Sequence, residues 1–157
     1  MLTVFFRGVT MLFWGLIVLV LFLDQFSKYL VILYLAPWES IAILPGVLYL
    51  THVRNPGAAF GILANWTGLF ILVSLLIIGA ILLFWRRILT LSRSFQLALA
   101  LEVGGAVGNL IDRLRFGQVI DFIDFRVWPV FNVADMAIVI GALLIGYNLL
   151  GIKRPLE

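Results

Sequence analysis

The chain has no cysteine, one histidine (His52) and few charges, with only 12% of its 157 residues being Asp, Glu, Lys or Arg. Lack of cysteine excludes disulfides, thiolate metal sites and a cysteine nucleophile. With His52 alone and no His-Glu-x-x-His pattern, a zinc site lacks its ligands, and an all-carboxylate site would suit magnesium or calcium better. No Gly-x-Ser-x-Gly pattern occurs. Ser27 and Lys28 are neighbours whose side chains diverge on a helix, so a Ser/Lys dyad is not expected. Scarcity of charge is the most restrictive of these absences. Water-soluble domains carry roughly a quarter charged residues, whereas this chain is 64% hydrophobic with a mean hydropathy of +1.16. An integral membrane protein is expected, with no metal and no cofactor. The formal net charge of +3 implies no nucleic-acid partner.

What is present divides into four apolar runs. The first, about residues 10–36, is interrupted by Asp24, Gln25, Ser27 and Lys28. It has neither the short core nor the small-x-small cleavage site of a secretory leader, so a spanning helix is expected. Asp24 and Lys28 stand four apart, on one helical face, and can pair. Residues 37–65 change character. Pro37, Pro45, Gly46, Pro56, Gly57 and Gly61 punctuate them, Val47 to Val53 has strand propensity, and Trp38 and Trp66 bracket the region. A small interfacial β element is expected there. The second run, 67–85, is uncharged and reads as a lipid-facing structural helix. The third, 95–112, carries Glu102, Gly104, Gly105, Gly108 and Asn109, with small-x-x-x-small spacing suited to close helix packing. Asp112-Arg113 closes it, a loop holding Asp121 and Asp124 follows, and the fourth run covers 132–151. The fold expected is one membrane all-α bundle of four transmembrane helices, residues 1–157, with a small extracytoplasmic β-cradle.

Arg7, Arg86, Arg87, Arg93, Lys153 and Arg154 fall on one side of this arrangement, against Arg54, Arg113, Arg115 and Arg126 on the other. The positive-inside rule then places both termini in the cytoplasm. At 1.5 Å per residue, Asp24 lies roughly 21 Å and Lys28 roughly 27 Å along the first helix, and Asn109 and Asp112 roughly 21 and 26 Å along the third. Asp121, Asn132 and Asp135 come to about the same depth near the outer face. Ionisable groups at such depths are costly and mark function.

The chemistry open to such a cluster is that of two carboxyl groups sharing a proton. Close and poorly solvated, they cannot both ionise, so one stays protonated near neutral pH while the other acts as a base. That pair suffices for amide hydrolysis without metal or covalent intermediate. On pattern alone it could be any two of Asp112, Asp121, Asp124 and Asp135. Asp112-Arg113 also reads as a structural ion pair or cap, and Asp135 as a first-turn acid beneath an Asn132 cap. Glu102 reads as a buried polar contact.

Asn55-Pro56-Gly57-Ala58-Ala59-Phe60, Gly104-Gly105-Ala106-Val107-Gly108-Asn109-Leu110-Ile111-Asp112-Arg113, Val119-Ile120-Asp121-Phe122 and Phe131-Asn132-Val133-Ala134-Asp135 resemble, in order, the motifs of the bacterial lipoprotein signal peptidases, the type II signal peptidases. The Asp24-x-x-x-Lys28 pair is similar as well. The resemblance implies an aspartic endopeptidase of the bacterial inner membrane, its site near the extracytoplasmic face. Its substrates would be diacylglyceryl-modified prolipoproteins met among membrane lipids and cut before the lipobox cysteine, its inhibitors globomycin-type antibiotics. By motif the dyad is Asp121 and Asp135. Asp24, Lys28, Asn55, Gly57, Asn109, Asp112, Arg113 and Asn132 would bind substrate or support the site. The expected working form is a monomer.

Overall fold

The computed structural model describes residues 2–57 and 66–150, with side chains described from residue 10 in the first helix. The expectations for the motif residues Ala58 to Phe60, for Gly61 and the end of the β element, for the Arg7 side chain and for the tail with Lys153 and Arg154 lie outside the described residues. The elements are α1 (Leu2–Tyr34), β1 (Ser40–Leu44), β2 (Leu48–Asn55), α2 (Thr67–Leu83), α3 (Trp85–Ile88), α4 (Arg93–Phe116), β3 (Val119–Asp124) and α5 (Val133–Leu149). The protein is mostly helical, with one antiparallel three-stranded sheet ordered β1-β2-β3. The stretches Thr10–Tyr34 and Arg93–Phe116 are long and apolar enough to cross a membrane, whereas the apolar helices Thr67–Leu83 and Val133–Leu149 are shorter.

Local sequence explains the helix ends. Ser92 caps α4 by accepting from the Phe95 amide at 3.2 Å, and Gly117, at φ +72°, adopts the left-handed turn that closes it. The helix therefore runs past Asp112-Arg113, the expected end, by one more turn. Asn132 opens α5 with a capping box: its side chain accepts from the Asp135 amide, while the Asp135 carboxyl accepts from the Asn132 amide.

A third strand was not expected. Val119 to Asp124 reads as an acidic loop, yet it pairs with β2. Its β-branched and aromatic residues have strand propensity, and both aspartates find partners inside the fold. The register pairs Tyr49 with Asp124 and Leu50 with Ile123, then Val53 with Asp121 and Asn55 with Val119. Between the two sets β2 holds one residue more than β3, a β-bulge at Thr51-His52. His52 fastens this bulge to the end of α1, with Nδ1 2.9 Å from the Leu35 carbonyl and its backbone paired to Trp38 and Glu39.

Burial is inverted relative to a water-soluble domain. Among the described residues, six of the eight largest side chains buried below 2% exposure are polar or charged, namely Lys28, His52, Asn132, Asp24, Asp112 and Asp121. Leu12, Val18, Phe22, Leu76, Leu83, Leu143 and many others are exposed. Among the described residues, buried apolar side chains form two clusters. One joins Phe13, Ile17, Ile81, Ile88, Ala100 and Val103, and the other Val31, Leu35, Ile120 and Phe122 under the sheet.

The α4 glycines set how closely the helices approach. A Cβ at Gly105 would strike the Ala134 carbonyl and the Ile138 side chain, and one at Gly108 would lie 2.5 Å from Asp24 Oδ2. At Gly79 a Cβ would meet nothing within 4 Å. Gly105→Ala is therefore expected to lower stability by about 1–3 kcal/mol through overpacking against backbone. Gly79→Ala is expected to leave it unchanged or slightly raised. Thermal unfolding in detergent checks both, and equal melting of the two variants would contradict the packing argument.

Candidate active site

The site is built on Lys28. Its ammonium lies 2.8 Å from Asp24 Oδ2, 2.8 Å from Asp112 Oδ2 and 3.0 Å from Asn109 Oδ1, occupying its three donors. Each carboxylate also ties down backbone. Asp24 Oδ1 accepts from the Ala134 amide in the first turn of α5, and Asp112 Oδ2 accepts from the Ile120 amide of β3. Gln25 lies between them, its Nε2 within 3.0–3.1 Å of Asp112 Oδ1, Asp24 Oδ2 and the Gly108 carbonyl. One charged knot thus holds α1, α4, β3 and α5 together. Asp112 pairs with Lys28 rather than with its neighbour Arg113, which corrects the local ion pair expected from sequence.

From this knot two asparagines carry order to Asp121 and Asp135. Asn109, held by Lys28, donates from Nδ2 to Asp135 Oδ1 at 2.8 Å. Asn132 donates from Nδ2 to Asp121 Oδ1 at 2.6 Å, with Asn109 Oδ1 3.2 Å from the same nitrogen. Asn55, at the end of β2, donates to Asp121 Oδ2 at 2.8 Å and accepts from the Gly57 amide, so the turn after the strand is fixed with it. Burial, and then the charge of Asp135, push the Asp121 carboxyl from its ordinary 3.8 up to about 7, against the hydrogen bonds from Asn55 and Asn132 and the charge of Lys28.

Asp121 and Asp135 line a cavity of about 810 Å³ together with Asn55, Gly57, Asn109 and Arg113. Arg113 lies with its guanidinium 4.6 Å from the Phe70 ring centroid. Phe70, Val73, Ser74 and Ile77 of α2 form one wall. That helix is thus more than the lipid-facing support expected for it. Asp124 is elsewhere. Three residues beyond Asp121, it leaves β3 on the other side, accepts from Thr51 Oγ1 and the Arg126 amide at 2.7 Å each, and pairs with Arg126 Nε at 3.4 Å. Glu102 also lines the cavity. Among the described residues, no three His, Asp or Glu side chains are grouped as metal ligands would be. The arrangement places two carboxyl groups, those of Asp121 and Asp135, in the lining of one largely apolar cavity.

The family model described as signal peptidase (SPase) II, Peptidase_A8, matches residues 16–151. The chain belongs to the signal peptidase II family. A lipoprotein signal peptidase of Moorella thermoacetica is 50% identical over 135 residues, 86% of this chain and 90% of its own length. One from Pelotomaculum thermopropionicum is 47% identical over 135 residues, 86% and 89%. Among solved structures, a bacterial membrane enzyme determined by the in meso method at 2.3 Å superposes with a TM-score of 0.81 at 33% identity, covering 92% of this chain and 93% of that one. A second, at 1.9 Å, gives 0.77 at 33% identity, covering 90% and 94%. The chain is accordingly a bacterial membrane protein of a peptidase family.

Two residues of this network were not expected from the sequence: Gln25, which reads only as an interruption of an apolar run, and Thr51, the hydroxyl that occupies Asp124. A polar amide one residue from an intramembrane acid is the signal that could have found Gln25. Lys28→Met is expected to leave Asp24 and Asp112 buried without their cation, at a cost of about 3–5 kcal/mol. A melt of the purified variant in detergent within a degree of the unsubstituted chain would contradict this.

Proposed function

We propose that this chain is an intramembrane aspartic endopeptidase that removes the signal peptide from diacylglyceryl-modified prolipoproteins by cleaving before the lipobox cysteine. The observation that carries the reading is the joint suspension of Asp121 and Asp135 from Asn109 and Asn132 in the lining of one cavity, with Asp121 held near 7. That its relatives are lipoprotein signal peptidases supports the cleavage of lipoprotein signal peptides.

In this mechanism Asp121 in its acid form donates a hydrogen bond to the scissile carbonyl, while Asp135, the base, takes a proton from the attacking water. The water oxygen adds to the carbonyl carbon. The tetrahedral intermediate collapses as a proton passes to the departing nitrogen, which becomes the new amino group of the cysteine. Asn55, Gly57 and Arg113 bind the substrate chain beside the scissile bond. Asn109 and Asn132 orient the acids, and Asp24, Lys28 and Asp112 hold the asparagines in place. No cofactor takes part, and globomycin-type inhibitors would occupy the same cavity.

The four long helices α1, α2, α4 and α5 span the bacterial inner membrane with both termini cytoplasmic, and the β-cradle and cavity mouth lie at the extracytoplasmic face. The basic residues Arg86, Arg87 and Arg93, at the end of α3 and the start of α4, support that orientation. There a lipid-modified substrate arrives by lateral diffusion with its scissile bond at the mouth. Every group in the mechanism comes from one chain, in keeping with a monomer.

Cleavage of a diacylglyceryl-modified prolipoprotein by detergent-purified protein tests the reading. Asp121→Asn and Asp135→Asn are each expected to lower kcat by about 10²- to 10⁴-fold, and Asp124→Asn to keep most of the turnover. Full activity in either dyad variant would remove that residue from the mechanism. Because Asp121 must carry its proton, kcat/KM is expected to fall as pH rises through about 7. A profile flat from pH 6 to 9 would contradict its role as the acid.

A further inference from the structure

Four residues of α4, Glu102, Ala106, Asn109 and Arg113, line the cavity. Their spacing puts them on one stripe of the helix. Asn109 holds Asp135, whereas Glu102 lies seven residues before Asn109, about 10 Å along the helix. The lining contributed by α2 and α5 is mostly apolar, with Ile77 of α2 and Ile138, Val139 and Ile140 of α5. Ser74, the polar side chain of the α2 wall, spends its hydroxyl on the Phe70 carbonyl of its own helix. Glu102 is half-buried and makes no hydrogen bond or ion pair with the described residues. It is also given room. A Cβ on Gly141 would fall 3.0 Å from its Cγ and 3.2 Å from its Oε1, so the missing side chain of α5 lets the carboxyl group lie against that helix.

A carboxyl group without a partner is costly in such a wall, and the cavity's occupant is the remaining source of one. An acyl chain offers no hydrogen-bond acceptor at this depth. A signal peptide does. Its apolar segment crosses the bilayer as a helix, but the bond to be cut must leave that helix to be reached by a water and two acids. The last turn of a helix has carbonyls without intrahelical donors, and in an apolar cavity no water satisfies them. Three extended residues span about 10 Å, the separation between Asn109 and Glu102 along α4. The end of the substrate helix therefore arrives at the level of Glu102.

We propose that Glu102 is a substrate-binding residue whose carboxyl group, in its acid form, donates a hydrogen bond to a main-chain carbonyl at the C-terminal end of the signal peptide's helix, about three residues before the scissile bond. This inference rests on the signal-peptidase reading given above. It assigns to the inner half of the cavity the task of marking where the helix must stop.

Steady-state cleavage by the full chain in detergent, with Glu102→Leu and Glu102→Gln, tests it on two diacylglyceryl-modified substrates. One has its full signal segment and the other is cut back to three residues before the scissile bond. On the full substrate, Glu102→Leu is expected to raise KM about ten-fold, as for one lost buried hydrogen bond, with kcat little changed. Glu102→Gln keeps an N–H donor and is expected to restore KM. On the short substrate, all three proteins should have the same kcat/KM, which also shows that the leucine variant is folded. Glutamine as impaired as leucine, leucine as good as wild type, or equal impairment of leucine on the short substrate would each overturn the role of Glu102. If the unsubstituted protein cuts neither substrate, the signal-peptidase reading falls, and this inference with it.

Discussion

A lysine buried to 2% exposure between two carboxylates is the constraint on which this structure depends. Lys28 and its partners could not be placed singly in an apolar interior, since each unpaired ion would cost several kcal/mol. Together they form a cluster with its donors spent. The cluster has value beyond neutrality because every member that faces Lys28 also holds a piece of backbone or an asparagine. Asp24 fixes the start of α5, Asp112 fixes β3, and Asn109 passes the orientation on to Asn132 and Asp135. A helix that supplies neither of the two proposed reacting acids thus determines where both of them sit.

Close helix approach and this ion cluster are interdependent. Gly108 brings α4 against Asp24, and Gly105 brings it against the first turn of α5. A larger residue at either place would separate the groups whose charges must compensate one another. The glycines are consequently as much electrostatic as steric features, because the strength of an ion pair in a poorly polarisable medium falls with distance and has no water to replace it.

The long apolar helices were legible in the sequence because each is a run of hydrophobic residues, and Asp24 with Lys28 was legible because two charges four apart in such a run share a face. The strand at β3 was not. Its two aspartates suppress the hydrophobic signal, and its pairing with β2 joins residues some seventy positions apart. Nor could the pattern separate Asp121 from Asp124, since both are acids in the same short stretch, and only the ordered motifs favoured Asp121 and Asp135. Gln25 and Thr51 escaped notice for a related reason: a neutral polar residue acquires meaning from what lies opposite it in space, which spacing along the chain does not reveal.

The bulge in β2 has a consequence for that distinction. Thr51 and Asn55 are four apart and would share one face of a regular strand, whereas Asp121 and Asp124 are three apart and use opposite faces of β3. A regular ladder could not match the first pair to the second. One extra residue at Thr51-His52 changes the parity of β2 midway, so that the hydroxyl of Thr51 reaches Asp124 on one side and the amide of Asn55 reaches Asp121 on the other. The bulge acts as a sorting device: it commits one aspartate to the scaffold and keeps its near neighbour available to the cavity.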